Sequence, residues 1–161
     1  MKLKTEIKEI PAQTVASATG LIFSIPCEAF VDPERPGDAI AALLKVGHVI
    51  CEYGAPVIDP CQNLKDLEYA THRVRSADIE NACGYISNIY CVIDEGQLQL
   101  AGDFTPYGPH KAAAVELMRS GTILITPRVL LNEHGKIVCI PGFDVAVEET
   151  PHYQFVHTVK Q

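Results

Sequence analysis

The stretch GTILITPRVLL, Gly121 to Leu131, decides how the chain is read. Its Ile, Leu and Val residues spell a buried β-strand, yet Thr126, Pro127 and Arg128 break the run with a hydroxyl, a missing backbone donor and a full charge. A turn, NEHGK, and a second apolar run, IVCIPGFDVAV, follow, so the segment predicts a strand–turn–strand unit with a charge in each arm, Arg128 and Asp144.

Working outward, TPYGPHKAAAVELMRSG predicts the clearest helix. Pro109 suits its first turn, Ala113 with Leu117 and Val115 with Met118 form two apolar rows, and Gly121 ends it. Upstream, GYISNIYCVID, the turn DEGQ around Gly96 and LQLAGDF predict a β-hairpin, and THRVRS predicts a further short strand. YGAPVIDPCQNLKD, with Gly54, Pro56 and Pro60, reads as a loop. Before it, GDAIAALLKVGHVI predicts a short helix capped by Asp38, with Ala39, Leu43 and Leu44 inward and Gly47 as its stop, then the strand HVICE. TVASATGLIFSIP is β-rich, FVDPERPGD a polar turn, and the tail EETPHYQFVHTVKQ a last strand or an ordered arm. With no repeat or linker, residues 1–161 read as one α+β domain, a mostly antiparallel β-sheet or barrel with a few short helices.

Composition bounds the partners. A chain of 161 residues buries enough surface to fold without staples. Hydrophobic residues at 47% exclude intrinsic disorder. A net charge of −7 without a basic run argues against nucleic acid, and no apolar stretch has the length of a membrane span or a leader's h-region. Cys27, Cys51, Cys61, Cys83, Cys91 and Cys139 are scattered with no CxxC pair, which points to free thiols in a reducing cytoplasm, not to disulfides or zinc; no metal or cofactor is implied.

Chemistry is carried by three places: His72 in THRVR, Thr126 with Arg128 in ITPR, and Asp144 in GFDVAV. Alternation places His72 on a face with Val74, where it is either a satisfied, partly buried histidine or a base. Arg128 and Asp144 sit in apolar strands and each demands a partner. They form either a plain ion pair across neighbouring strands, or part of a site in which a base takes a hydroxyl proton, an acid orients the base and a cation steadies the oxyanion.

From residue 48 to 148 the order of segments resembles the prohead maturation proteases of tailed phages, whose fold is that of the herpesvirus assemblins. CEYGAPVIDP stands at the family's glycine-rich loop, with Ala55 in place of its histidine, and DLEYATHRVRSADIENACGYISNIYCV at the segment of the catalytic histidine. GDFTPYGPHKAAAVELMRSG stands at the turn and helix, LITPRVLL at the serine-serine-arginine signature, and GFDVAV at the late strand with its aspartate. The resemblance implies His72 as base, Thr126 as nucleophile, Asp144 as orienting acid and Arg128 on the oxyanion side. It further implies a homo-oligomer acting on capsid and scaffold proteins inside the assembling prohead in the host cytoplasm.

The chain departs from the family where Thr126 and Pro127 replace two serines. The Thr β-methyl crowds attack, and Pro127 removes a backbone N–H where oxyanion donors lie. Two functions follow: a capsid-maturation endopeptidase with a threonine nucleophile, or a non-enzymatic capsid or interaction module on the same fold. A third, a small-molecule or metal-binding module using His152, His157 and the cysteines, is disfavoured because residues five apart on a strand point to opposite faces and the cysteines form no close ligand pair.

Overall fold

The computed structural model describes residues 8–10, 13–54, 63–120, 123–132, 134–146 and 154–157. It is a mixed α+β structure, mostly strands, in one curled half-barrel sheet with a few short helices. The strands are β1 (Lys8–Ile10), β2 (Gln13–Pro26), β3 (His48–Tyr53), β4 (Ala82–Asp94), β5 (Gln97–Pro106), β6 (Leu124–Leu131), β7 (Ile137–Ala146) and β8 (Gln154–His157). Their order across the sheet is β1-β2-β5-β4-β3-β7-β6-β8, antiparallel except where β3 meets β7 and β6 meets β8. The tail thus supplies a last strand, paired from Arg128↔Gln154 to Leu131↔His157.

The β4–β5 hairpin closes through Glu95 and Gly96, both at positive φ (50° and 75°), the twist that a two-residue turn between right-twisted strands requires. Gly84 in β4 has no room for a side chain, because a Cβ there would lie 2.3 Å from the Phe104 ring. Gly108, at φ 87°, lets the chain fold over β4 so that His110 N–H donates to the Ala82 carbonyl at 3.0 Å. That contact launches α3 (Lys111–Arg119), which buries Ala114 and Met118. His110 is its N-cap, so Pro109 lies before the helix, while Ala113, Val115 and Leu117 are half-buried and Gly121 falls outside the described residues.

Several expectations are corrected. THRVRS is not a strand: it forms the end of α2 (Leu64–Arg75), whose Lys65, Glu68, Tyr69, His72 and Arg75 recur at helical spacing as exposed residues. The expected loop YGAPVIDPCQNLKD lies largely outside the described residues, but Leu64, Lys65 and Asp66 belong to this helix. Asp38 caps nothing. It lies inside a 3-10 turn (Pro36–Ile40) that runs into α1 (Ala41–Val46), where Ala39 and Leu43 are buried and Leu44 is exposed; Gly47, at φ 83°, ends α1 as expected.

The core packs Phe30, Ile40, Ile86, Leu98, Leu100, Phe104, Met118, Ile125 and Phe143 into one cluster. Cys51 and Cys83 pack among them as buried free thiols, Cys27 is buried too, and Cys91 and Cys139 are half-buried. Burial pushes the Cys51 thiol well up and the Cys83 thiol up to about 12, so both are inert packing groups. No described helix is long and apolar enough to cross a membrane.

Candidate functional site

Strand register builds the site. Thr126 of β6 pairs with Asp144 of β7, which pairs in turn with Glu52 of β3. Directly paired residues share a face, and Arg128 joins them because residues two apart in a strand point the same way. Thr126, Arg128, Asp144 and Glu52 therefore stand on one face, while Ile125 and Phe143 fill the core on the other.

Arg128 is 2% exposed, Asp144 1% and Glu52 0%. The Arg128 Nε donates to Asp144 Oδ2 at 2.9 Å and its Nη2 to Asp144 Oδ1 at 2.6 Å, and Nη2 also reaches Glu52 Oε2. Its Nη1 donates to the carbonyls of Arg73 at 3.2 Å and Ser76 at 3.0 Å, at the C-terminal end of α2. A guanidinium has five N–H groups, and these contacts use all of them.

Glu52 is gripped from the other side. Arg73 donates to its two oxygens at 2.5 and 2.7 Å, and the Asp78 N–H and the Asn81 amide add contacts at 3.1 and 3.2 Å. Burial alone would raise the Glu52 pKa, but the hydrogen bonds from Arg73, Arg128, Asp78 and Asn81 outweigh it and hold the carboxyl at about 2. Asp144 differs: burial pushes it up, the Glu52 charge adds to that, and Arg128 only partly offsets both. Two guanidiniums and two carboxylates balance, which is how such charges tolerate an apolar sheet.

Of the residues singled out from the sequence, the structure brings together Thr126, Arg128 and Asp144. It leaves His72 apart, exposed on α2 with no side-chain hydrogen bond among the described residues. The Thr126 Oγ1 is buried without a hydrogen-bond partner among the described residues. Glu52 and Arg73 were missed. Glu52 carried the same signal as Asp144, a carboxylate inside the apolar run HVICEY, whereas Arg73 was hidden by the reading of its segment as a strand.

A cleft of about 350 Å³ opens beside the cluster, with Leu43, Val49, Ile79 and Phe143 as apolar lining and His48 and Arg75 as basic lining. Arg128 contributes to its wall, but His72, Thr126 and Asp144 do not line it. No three His, Cys, Asp or Glu side chains gather as a metal site among the described residues, His152 lies outside them, and His157 is placed on β8. No protein-family model, curated protein or solved structure matches the chain.

Proposed function

We propose that the chain is a non-catalytic protein-interaction module, working among capsid and scaffold chains of an assembling phage prohead and built on the segment order of the prohead maturation proteases. The kinship rests on that order of segments, from CEYGAPVIDP to GFDVAV. The absence of catalysis rests on one observation: every N–H of Arg128 and both oxygens of Asp144 are engaged within the cluster. A cation with no donor left cannot steady an oxyanion, and an acid bound by arginine does not orient a histidine. The positions that serve chemistry in the family serve here to lock α2 onto the sheet.

A second reading, an assemblin-like endopeptidase using Thr126, has one observation in its favour, the Thr126 hydroxyl, which has no hydrogen-bond partner among the described residues and stands in register with Asp144. Incubating the protein with phage scaffold and capsid chains separates the two. The interaction reading expects co-sedimentation with one of these chains and no cleavage by wild type, Thr126→Ala or His72→Ala. Cleavage by wild type that disappears in both variants would overturn it and assign the nucleophile and the base.

A further inference from the structure

β3 covers β4 only from Ala82 to Ser87, the last pair being His48↔Ser87. There α1 joins β3 through Gly47, while β4 bulges at Asn88, at φ 53°, and runs on past β3. From Tyr90 to Asp94 it is paired with β5 on one side, and among the described residues no strand pairs with it on the other. Such an edge presents alternate N–H and C=O groups to solvent and is normally blunted by Lys, Pro or an early end. Here it carries Ile89, Tyr90, Cys91, Val92 and Ile93, five uncharged residues in a row.

Both faces of this edge are apolar. Cys91 pairs with Leu100 and Ile93 with Leu98, on the core side, where Leu98 and Leu100 are fully buried but Ile93 is 59% exposed. On the outer side Tyr90 and Val92 are 60% and 49% exposed. It is a stretch of edge inside the sheet order, left where β4 outruns β3.

We propose that this edge is covered by a second copy of this chain, β4 against β4 in antiparallel register about a twofold axis at Cys91. The occupant must be apolar on two faces at successive positions and uncharged over five residues, and the segment 89–93 itself meets that requirement. With Cys91 facing Cys91 of the second copy, Tyr90 lies against its Val92 and Ile89 against its Ile93. The acids of the turn, Asp94 and Glu95, go to opposite ends, where Asp94 faces Asn88, whose amide already donates to Asp103 at 2.8 Å. Parallel pairing would stack the acids on one another in a chain of net charge −7, and shifting the axis to Val92 would set Asp94 against Tyr90. A twofold pair closes on itself and continues the sheet across both copies. One strand pair buries less than the roughly 1,000 Å² of a stable interface, so the dimer depends on concentration.

Sedimentation velocity of the full chain, from low micromolar to its highest soluble concentration, tests the interface. The dimer is expected to grow with concentration in wild type and to be lost in Val92→Lys, a replacement at an exposed position. Antiparallel partners hold their Cα atoms about 4.5–5.5 Å apart, within disulfide reach. Copper(II)–phenanthroline, which removes two electrons and two protons from a facing thiol pair, is therefore expected to cross-link wild type and Cys139→Ser but not Cys91→Ser. This second readout decides the matter if Val92→Lys does not fold. Wild type that stays monomeric throughout, a dimer that survives in folded Val92→Lys, or cross-linking that survives Cys91→Ser would each overturn the proposal.

Discussion

Removing the Arg128 guanidinium leaves Glu52 and Asp144 as neighbours across the β3–β7 pairing, buried, with only Arg73 to oppose two negative charges. Arg128→Met is therefore expected to lose about 3–5 kcal/mol at neutral pH, the cost of an uncompensated buried charge. Replacing Arg128 by Met and Asp144 by Leu together takes away one charge of each sign and leaves the Arg73–Glu52 pair intact, so the double variant should recover most of the loss. Urea unfolding of the three proteins checks both statements, and equal stability of the single and double variants would show that Asp144 left without Arg128 carries no penalty. The two charges were legible as a pair in the sequence, because each interrupts an apolar strand in one strand–turn–strand unit. That Glu52 completes the cluster was not, since it lies in a strand some ninety residues from Asp144 and nothing local says that the two strands meet.

At the scale of elements, the C-terminal end of α2 is held by charge. Arg73 reaches Glu52 and the Ser76 carbonyl, and Arg128 reaches the carbonyls of Arg73 and Ser76. Carbonyls at a helix C-terminus carry partial negative charge, which two guanidiniums satisfy. Arg73→Met keeps the stem but removes that side chain's own bonds to Glu52 and the Ser76 carbonyl, so α2 is expected to open locally with a free energy lower by about 1.5–3 kcal/mol, the worth of charged hydrogen bonds. Hydrogen exchange reads this as faster exchange in Leu64–Arg75 with β6 and β7 unchanged, and uniform loss of protection would mean that α2 and the sheet unfold as one. The hairpins and α3 were legible because their turns carry residues suited to positive φ and their periodicities run for a full element. α2 was not: five residues, THRVR, alternate as a strand does, and only the longer window from Leu64 shows the helical period. The start of α1 was misplaced because Asp38 looks like a cap, whereas the 3-10 turn begins earlier, at Pro36.

For the molecule as a whole, the sequence indicated a mostly antiparallel sheet but not the two parallel contacts, β3 with β7 and β6 with β8, which join segments far apart in the chain. Contacts of that kind leave no periodic trace, and the charge cluster sits on one of them. It links the fold to acid stability. Glu52 has its pKa lowered from 4.5 to about 2 in the folded protein, so the stability it contributes is complete above pH 4.5 and disappears as pH falls toward 2. At 1.36 kcal/mol per unit this amounts to about 3 kcal/mol. Asp144 acts with the opposite sign: its folded pKa is raised, so acidification relieves a cost and reduces the net loss. Wild type is therefore expected to lose stability between pH 4.5 and 2 by somewhat less than Glu52 alone dictates. Glu52→Gln, which leaves Arg73 and Arg128 in positive excess over Asp144, should be the less stable protein at pH 7, with a flatter dependence on acid. Urea midpoints measured for both from pH 7 to pH 2 should converge as pH falls. Curves that stay parallel over that range would show that the Glu52 carboxylate, although fully buried, does not couple protonation to folding.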